Sequence, residues 1–83
     1  MELTVGEAAR RANLTRKAVR LYEARGLLSD IARTHSGYRT YTDDDVRLLR
    51  FIGQARALGL SLRAIQQLVE LRRGGTPSSV YVR

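Results

Sequence analysis

The stretch Thr-Arg-Lys-Ala-Val-Arg-Leu-Tyr-Glu (residues 15–23) decides the fold of this 83-residue chain. Thr15 is a suitable N-cap, and the residues after it predict a short helix with Val19 and Tyr22 on its inner face. The cations of the stretch fall largely outside that face: Arg16, Lys17 and Arg20. A short helix with basic residues directed outward is typical of a protein that reads nucleic acid in the major groove.

The residues before this stretch predict a second helix. Thr4 and Glu7 have the spacing of a capping box, and the small apolar residues that follow share one helical face: Val5, Ala8, Ala9 and Ala12. Asn13 is suited to the left-handed conformation that ends a helix, and Leu14 can pack beneath the bend. Two helices joined by so short a turn predict a helix-turn-helix.

Residues 29–41 show no helical period. Residues 31–33 and 38–41 flank the turn-forming residues 34–37, as the two strands of a β-hairpin would. This hairpin is a candidate wing, in which Gly37 permits the turn and Tyr38 and Arg39 can hold a DNA backbone. For Tyr38, a place in the core is an equally good interpretation.

Two further helices are expected after the hairpin. Thr42 caps the first, its initial turn is acidic, and its apolar stripe marks it as the central core helix: Val46, Leu48, Leu49, Phe51, Ile52, Ala55 and Leu58. Gly59 ends it. Ser61 caps the next helix, in which Ile65, Leu68, Val69 and Leu71 are apolar, and Gly74-Gly75 closes it. The predicted fold class is mainly α, a winged helix-turn-helix of four helices with a small β-hairpin wing.

The start of the last helix is a second candidate contact with DNA. Its free backbone N–H groups suit a phosphate, Ser61 stands at the cap, and Arg56 and Arg63 are close by in sequence. Ordinary helix capping explains Ser61 equally well.

The composition narrows the classes of function. The chain has a formal net charge of +7 and a pI near 11.0, which favours a polyanionic partner. It has no cysteine and one histidine, His35, so neither a metal site nor a catalytic constellation is expected, and no cofactor. The three aspartates at 43–45 point in different directions on a helix and are expected to cap it. With no long apolar segment, we expect a cytoplasmic protein that does not enter a membrane.

Five blocks, in order, make the chain resemble the DNA-binding domain of the MerR family of bacterial transcription regulators. They are residues 4–9, 19–28, 33–41, 45–52 and 58–62, including Val-Arg-Leu-Tyr-Glu-Ala-Arg-Gly-Leu-Leu (19–28). The resemblance implies a homodimer that binds double-stranded promoter DNA with the second helix in the major groove, the hairpin as one wing and the last two helices as another. It implies that an effector makes the dimer bend and untwist the promoter, through which it acts indirectly on RNA polymerase.

The resemblance also sets expectations for the ends of the domain and for the DNA-binding residues. Residues 1–75 correspond to the DNA-binding domain, and residues 76–83 to the start of a truncated dimerisation helix or tail. Metal-sensing members have a cysteine near the segment where this chain has Pro77-Ser78-Ser79, and the family often has an aromatic residue where Leu21 stands. The predicted DNA-binding residues are Arg16, Lys17, Arg20, Tyr22, Tyr38, Arg39, Arg56, Ser61 and Arg63.

Two other functions fit parts of the sequence. One is an excisionase-like architectural protein, which bends DNA without sensing an effector. The other is a protein-binding helical module that uses the face of residues 65–71 and has no salt-dependent affinity for DNA.

Overall fold

A computed structural model of the chain describes residues 2–28, 32–33 and 39–72. Within them the chain forms a mainly α fold with two very short strands, in the order α1 (Val5–Ala12), α2 (Arg16–Ala24), β1 (Ala32–Arg33), β2 (Arg39–Thr40), α3 (Asp43–Ala57) and α4 (Leu62–Arg72). The order of helices is the one that the sequence predicts.

The first two helices are joined by a turn at residues 13–15. Thr4 and Glu7 form the expected capping box, with the Thr4 N–H donating to Glu7 Oε1 at 2.8 Å. Asn13 ends α1 at φ 61°, in the left-handed region, and Thr15 Oγ1 accepts a hydrogen bond from the Ala18 N–H at 3.0 Å. The structure therefore confirms the helix-turn-helix and the residues that begin and end its helices.

The chain leaves α2 through a tight turn. Gly26 has φ 76°, and the Leu27 N–H donates to the Tyr22 carbonyl at 3.0 Å. That reversal buries Leu27 and Leu28 against the body of the domain. The predicted stop at Gly26 is confirmed.

The two strands pair antiparallel, with Ala32 opposite Thr40 and Arg33 opposite Arg39. The predicted turn at residues 34–37 lies outside the described residues. A second antiparallel contact follows immediately, because Leu3 and Tyr41 exchange two backbone hydrogen bonds of 2.8 Å. This bridge brings the segment before α1 against the segment before α3.

Helix α3 begins with a capping box of Thr42 and Asp45, and each of its three aspartates has a different partner. Asp45 accepts from the Thr42 N–H at 2.9 Å, Asp44 pairs with Arg47, and Asp43 lies 4.0 Å from Arg11. The carboxylates diverge, as expected of consecutive helical residues. One of them caps the helix, and the other two pair with arginine side chains at the surface.

Helix α3 lies at the centre of the domain and packs against both α1 and α4. Leu49 and Ile52 are completely buried, and the surrounding core includes residues from every described helix: Leu3, Ala8, Ala9, Ala12, Val19, Tyr22, Leu27, Leu28, Tyr41, Val46, Ala55, Ile65 and Val69. One predicted core residue is wrong. Leu58 is 81% exposed, because α3 ends at Ala57 and Leu58 is its C-cap, beyond the last turn that faces the core.

Helix α4 uses only part of its apolar sequence to pack on α3. Ile65 and Val69 are buried, whereas Leu68 and Leu71 are 37% and 55% exposed. Gly74-Gly75, predicted to close the helix, lies outside the described residues. Among the described helices, none combines the length and the apolar character needed to cross a bilayer.

Candidate nucleic-acid interface

The helix-turn-helix presents the first half of α2 to solvent. The buried face of α2 carries Val19, with no exposed surface, and Tyr22. Its exposed residues are Arg16, Lys17, Arg20, Leu21 and Ala24. The backbone N–H groups of the first turn face the same end, so cationic side chains and the positive end of the helix dipole lie together.

The three cations of α2 are not engaged elsewhere in the described part of the molecule. The side chains of Arg16, Lys17 and Arg20 make no hydrogen bond or ion pair with any residue that the structure describes. Their charges are therefore available to an external anion, and the one acid on the same helix, Glu23, accepts a hydrogen bond from Tyr41.

Glu23 is held by a long-range hydrogen bond that sequence reasoning missed. The Tyr41 hydroxyl donates to Glu23 Oε1 at 2.9 Å, and Tyr41 is 1% exposed. The contact ties α2 to the segment that follows β2. It also keeps a carboxylate half-buried on the flank of α2, where the sequence placed Glu23 largely outside the inner face.

Tyr22 differs from the other predicted DNA-binding residues. It is 7% exposed, so its ring belongs to the core, which is the role that the sequence favoured for it. A direct contact with DNA is restricted to the small part of the residue that remains at the surface.

The C-terminal end of α2 is fixed to α4. Gln66 Nε2 donates to the Arg25 carbonyl at 2.7 Å, just after the last turn of α2. This bond satisfies a carbonyl group that the helix leaves without a partner at its end. The sequence shows only that Gln66 is a polar residue of the fourth helix, and it gives no indication of the partner.

The α3–α4 junction engages its polar side chains within the domain. Arg56 Nη1 donates to the Leu60 carbonyl at 3.1 Å, and Ser61 Oγ accepts from the Ala64 N–H at 3.1 Å. The Ser61 cap is confirmed. Arg63 is exposed on the first turn of α4. The junction thus gathers Arg56, Ser61 and Arg63 near one helix N-terminus, with two of the three already hydrogen-bonded.

Tyr38 lies outside the described residues. For Arg39 the backbone is described, in β2, and its side chain is not. Their predicted contacts with DNA stay predictions.

Helix α1 adds positive charge beside α2. Arg10 and Arg11 are exposed on its last turn, and Arg50 of α3 donates from Nε to the Arg11 carbonyl at 2.9 Å. At the other end of α1, the backbone hydrogen bond from Thr4 lowers the pKa of the Glu7 carboxyl, with smaller contributions from Arg10 and Arg11. Glu7 is thereby committed to the capping box as a carboxylate.

Within the described ranges, no group of three or more His, Cys, Asp and Glu side chains is arranged to hold a metal ion. The expectation that this chain carries no cofactor stays a prediction.

Comparison with known proteins gives one consistent result. The family model described as MerR HTH family regulatory protein matches residues 3–71. The heavy metal-dependent transcription regulator 2 of Rhizobium meliloti is 42% identical over 81 residues, which are 98% of this chain and 55% of that protein. The HTH-type transcriptional regulator ZntR of Escherichia coli K12 is 40% identical over 68 residues, 82% of this chain and 48% of that protein. The chain spans about half the length of these curated relatives.

Solved structures agree with the sequence relatives. A MerR family regulator lacking the sensor domain, HiNmlR, solved bound to promoter DNA, matches 90% of this chain and 57% of its own at TM-score 0.83 and 29% identity. PbrR691 from Ralstonia metallidurans CH34, solved with lead(II), matches 86% of this chain and 55% of its own at TM-score 0.79 and 35% identity. These relatives are transcription regulators rather than enzymes.

Proposed function

The chain belongs to the MerR family of helix-turn-helix regulators, and we propose that it binds double-stranded promoter DNA in a sequence-specific manner. In this proposal α2 enters the major groove, where Arg16, Lys17 and Arg20 contact base edges and phosphates. Both the residues of this chain and the relatives that it matches support this proposal.

The observation that carries the proposal is the difference between the two faces of α2. Val19 is completely buried, while Arg16, Lys17 and Arg20 are exposed and have no partner among the described residues. These three cations lie close together on the first half of one helix, without a neutralising partner among the described residues, and they repel one another in the free protein. An anion placed against that face relieves the repulsion and releases counterions from DNA.

We further propose that two flanking regions hold the DNA backbone. The first is a β-hairpin wing built on β1 and β2, from which Tyr38 and Arg39 reach a phosphate. The second is the α3–α4 junction, with Arg56, Ser61 and Arg63. Backbone contacts of this kind fix the register of the recognition helix without reading the sequence.

The rest of the proposal concerns the bounds of the domain, dimerisation and the response to an effector. Residues 1–75 would be the DNA-binding domain, and residues 76–83 the start of a dimerisation helix. As a homodimer, the regulator would bind two half-sites and distort the promoter in response to an effector, which would help RNA polymerase engage it. The exposed Leu58, Leu68 and Leu71 on the α3–α4 side are apolar surface that a second subunit can cover.

The two rival functions make different demands: the protein-binding module needs an exposed face on α4, and the excisionase-like protein needs no effector. A protein-binding module that uses residues 65–71 needs that face to be free, yet Ile65 and Val69 are buried in the domain's own core, which leaves only Leu68 and Leu71 of its apolar residues exposed. This observation weakens the rival. An excisionase-like protein would bend DNA to the same extent with or without any small molecule.

The experiment is selection of duplexes from a random library by the 83-residue chain, followed by fluorescence anisotropy on the enriched duplex. We expect one enriched sequence, at least about a thousandfold preference over unrelated DNA at physiological salt, and a steep decrease of affinity with salt concentration. Binding without enrichment of any sequence would contradict sequence-specific recognition. Absence of salt-dependent binding would contradict DNA binding altogether.

A further inference from the structure

Gly6 of α1 lies directly beneath the guanidinium group of Arg16, the first residue of α2. A Cβ atom at position 6 would stand 2.9 Å from Arg16 Nη2, 3.1 Å from Nε and 3.2 Å from Cζ. Contacts under 3.0 Å do not occur for real Cβ atoms, and the other two are tighter than nearly all of them. The guanidinium therefore occupies space that any side chain other than hydrogen would take.

Charge attraction does not account for this position. Gly6 is in the first turn of α1, next to Glu7 at the third helical position, so the guanidinium lies at the positive end of the α1 dipole. The Glu7 carboxylate is committed to the Thr4 N–H, and Arg16 pairs with no described acid. The guanidinium fits here because glycine leaves the space open, and no carboxylate among the described residues neutralises its charge.

Glycine at position 6 also makes helix α1 less stable than alanine would. Its conformation is an ordinary helical one, without a positive φ, so the backbone does not require glycine. Alanine in a helix is more favourable than glycine, because glycine loses more conformational entropy when the helix forms. A glycine that the backbone does not need, under a cation with no partner among the described residues, indicates a role for that cation.

We propose that Gly6 is a positioning residue for DNA binding, which sets the direction of the Arg16 guanidinium by leaving room for it. The inference rests on the proposed function, because the contact that Gly6 serves is the one between Arg16 and DNA. With a methyl group at position 6 the flexible tip of Arg16 moves aside at little cost to folding, and the guanidinium leaves the place from which it meets the nucleic acid. Gly6 itself touches no DNA in this arrangement.

The test is a double-mutant cycle of Gly6→Ala, Arg16→Ala and the double variant, measured by anisotropy on the enriched duplex and by thermal unfolding. We expect Arg16→Ala to weaken binding about fivefold to a hundredfold, and Gly6→Ala about threefold to tenfold. In the double variant, Gly6→Ala should add nothing to the loss from Arg16→Ala. The unfolding midpoint of Gly6→Ala should stay unchanged or rise by a few degrees, about what one helical Gly→Ala change gives.

Gly53→Ala is the matched control. It is the same substitution inside a helix, and its Cβ would stand 3.0 Å from Leu14 Cδ2, an apolar side-chain tip instead of a guanidinium. It should leave DNA affinity unchanged. An equal loss of affinity from Gly53→Ala would overturn the proposal, since any added methyl group would then have the same effect.

The outcomes separate this inference from the proposed function. Full affinity in Gly6→Ala with a loss in Arg16→Ala overturns the positioning role and leaves DNA binding intact. Additive losses in the double variant, or a lowered unfolding midpoint in Gly6→Ala, also overturn it, because they assign Gly6 a structural role. If no duplex is enriched by the unmodified chain, the proposed function has failed before the cycle begins.

Discussion

The first half of α2 and the α3–α4 junction are both predicted to contact DNA, but their polar side chains differ in whether they are already hydrogen-bonded within the protein. On α2, Arg16, Lys17 and Arg20 are exposed and unpaired within the described residues. At the junction, Arg56 donates to the Leu60 carbonyl and Ser61 accepts from the Ala64 N–H. A cation without an internal partner breaks no hydrogen bond within the protein when it binds DNA. A group that is already hydrogen-bonded must first exchange that bond for the new one. The strength of a DNA contact therefore depends on what the side chain already does in the free protein.

The largest expected effect tests this difference directly. Arg20→Ala should reduce specific binding by about 1–3 kcal/mol, because the variant lacks the unengaged guanidinium that we propose to contact DNA in the major groove. Arg56→Ala should reduce it by less, since the Arg56 guanidinium gives up its bond to the Leu60 carbonyl before it can hold a phosphate. Anisotropy titrations of both variants on the same duplex measure the two losses.

Arg47→Ala serves as the control for total charge. Arg47 is exposed on α3 and already pairs with Asp44, so its removal lowers the net charge by the same amount without touching either region. Circular dichroism should show all three variants folded. An Arg56→Ala loss as large as that of Arg20→Ala would remove the distinction between the two regions.

The next largest effect is on protein stability, through the hydrogen bond between Tyr41 and Glu23 of α2. Tyr41→Phe removes the hydroxyl that donates to Glu23 Oε1, and we expect a loss of about 1–2 kcal/mol in the free energy of unfolding. Urea unfolding of Tyr41→Phe, Glu23→Ala and the double variant measures the coupling between the two residues. If the two single losses simply add, the hydrogen bond does not contribute to stability.

Ser61 offers a sharper comparison, because capping and phosphate binding respond differently to charge. Ser61→Ala should cost about 1 kcal/mol of stability through loss of the N-cap bond to Ala64. Ser61→Asp should keep the cap and the stability, since Asp is an equally good N-cap, yet it should repel a phosphate at that position. Unchanged DNA affinity in Ser61→Asp would make Ser61 a structural cap only.

The smallest effect is a dependence on pH at the other end of the helix-turn-helix. The hydrogen bond from the Thr4 N–H lowers the pKa of Glu7 from its ordinary value of 4.5. A carboxyl group with a lowered pKa in the folded state adds stability above pH 4.5 that is lost as the pH falls through the lower folded value. Glu7→Gln should therefore flatten the acid side of the stability curve slightly, as urea midpoints at a series of pH values below 5 would show. The same slope in both proteins would contradict this assignment.

The sequence predicted the local features of this fold well, because each is decided by a few neighbouring residues. Thr4, Thr15, Thr42 and Ser61 were all identified as N-caps, and all four side chains accept a hydrogen bond from the expected helical N–H. The turn at Asn13 follows from the same kind of reasoning, since the tolerance of asparagine for the left-handed region is a property of the residue itself.

The contacts that join distant segments could not be predicted in the same way. Glu23 with Tyr41, Gln66 with the Arg25 carbonyl and Gly6 with Arg16 each depend on how two elements pack. Periodicity reports which face of a helix is apolar, and it contains no information about which polar side chain lies opposite. Leu58 shows the converse error: its spacing matches the stripe of α3, but the helix ends one residue earlier and the side chain turns to solvent.

The bridge between Leu3 and Tyr41 places a constraint on the order in which the domain folds. Leu3 is 2% exposed and is paired through both of its backbone hydrogen bonds, yet it precedes α1 and its partner is nearly half the chain away. Closing so long a loop carries an entropic cost that must be met before the pairing contributes to stability. On a ribosome, therefore, Leu3 stays unpaired until Tyr41 has been synthesised, and the apolar faces of α1 and α2 find their core partners only when α3 follows.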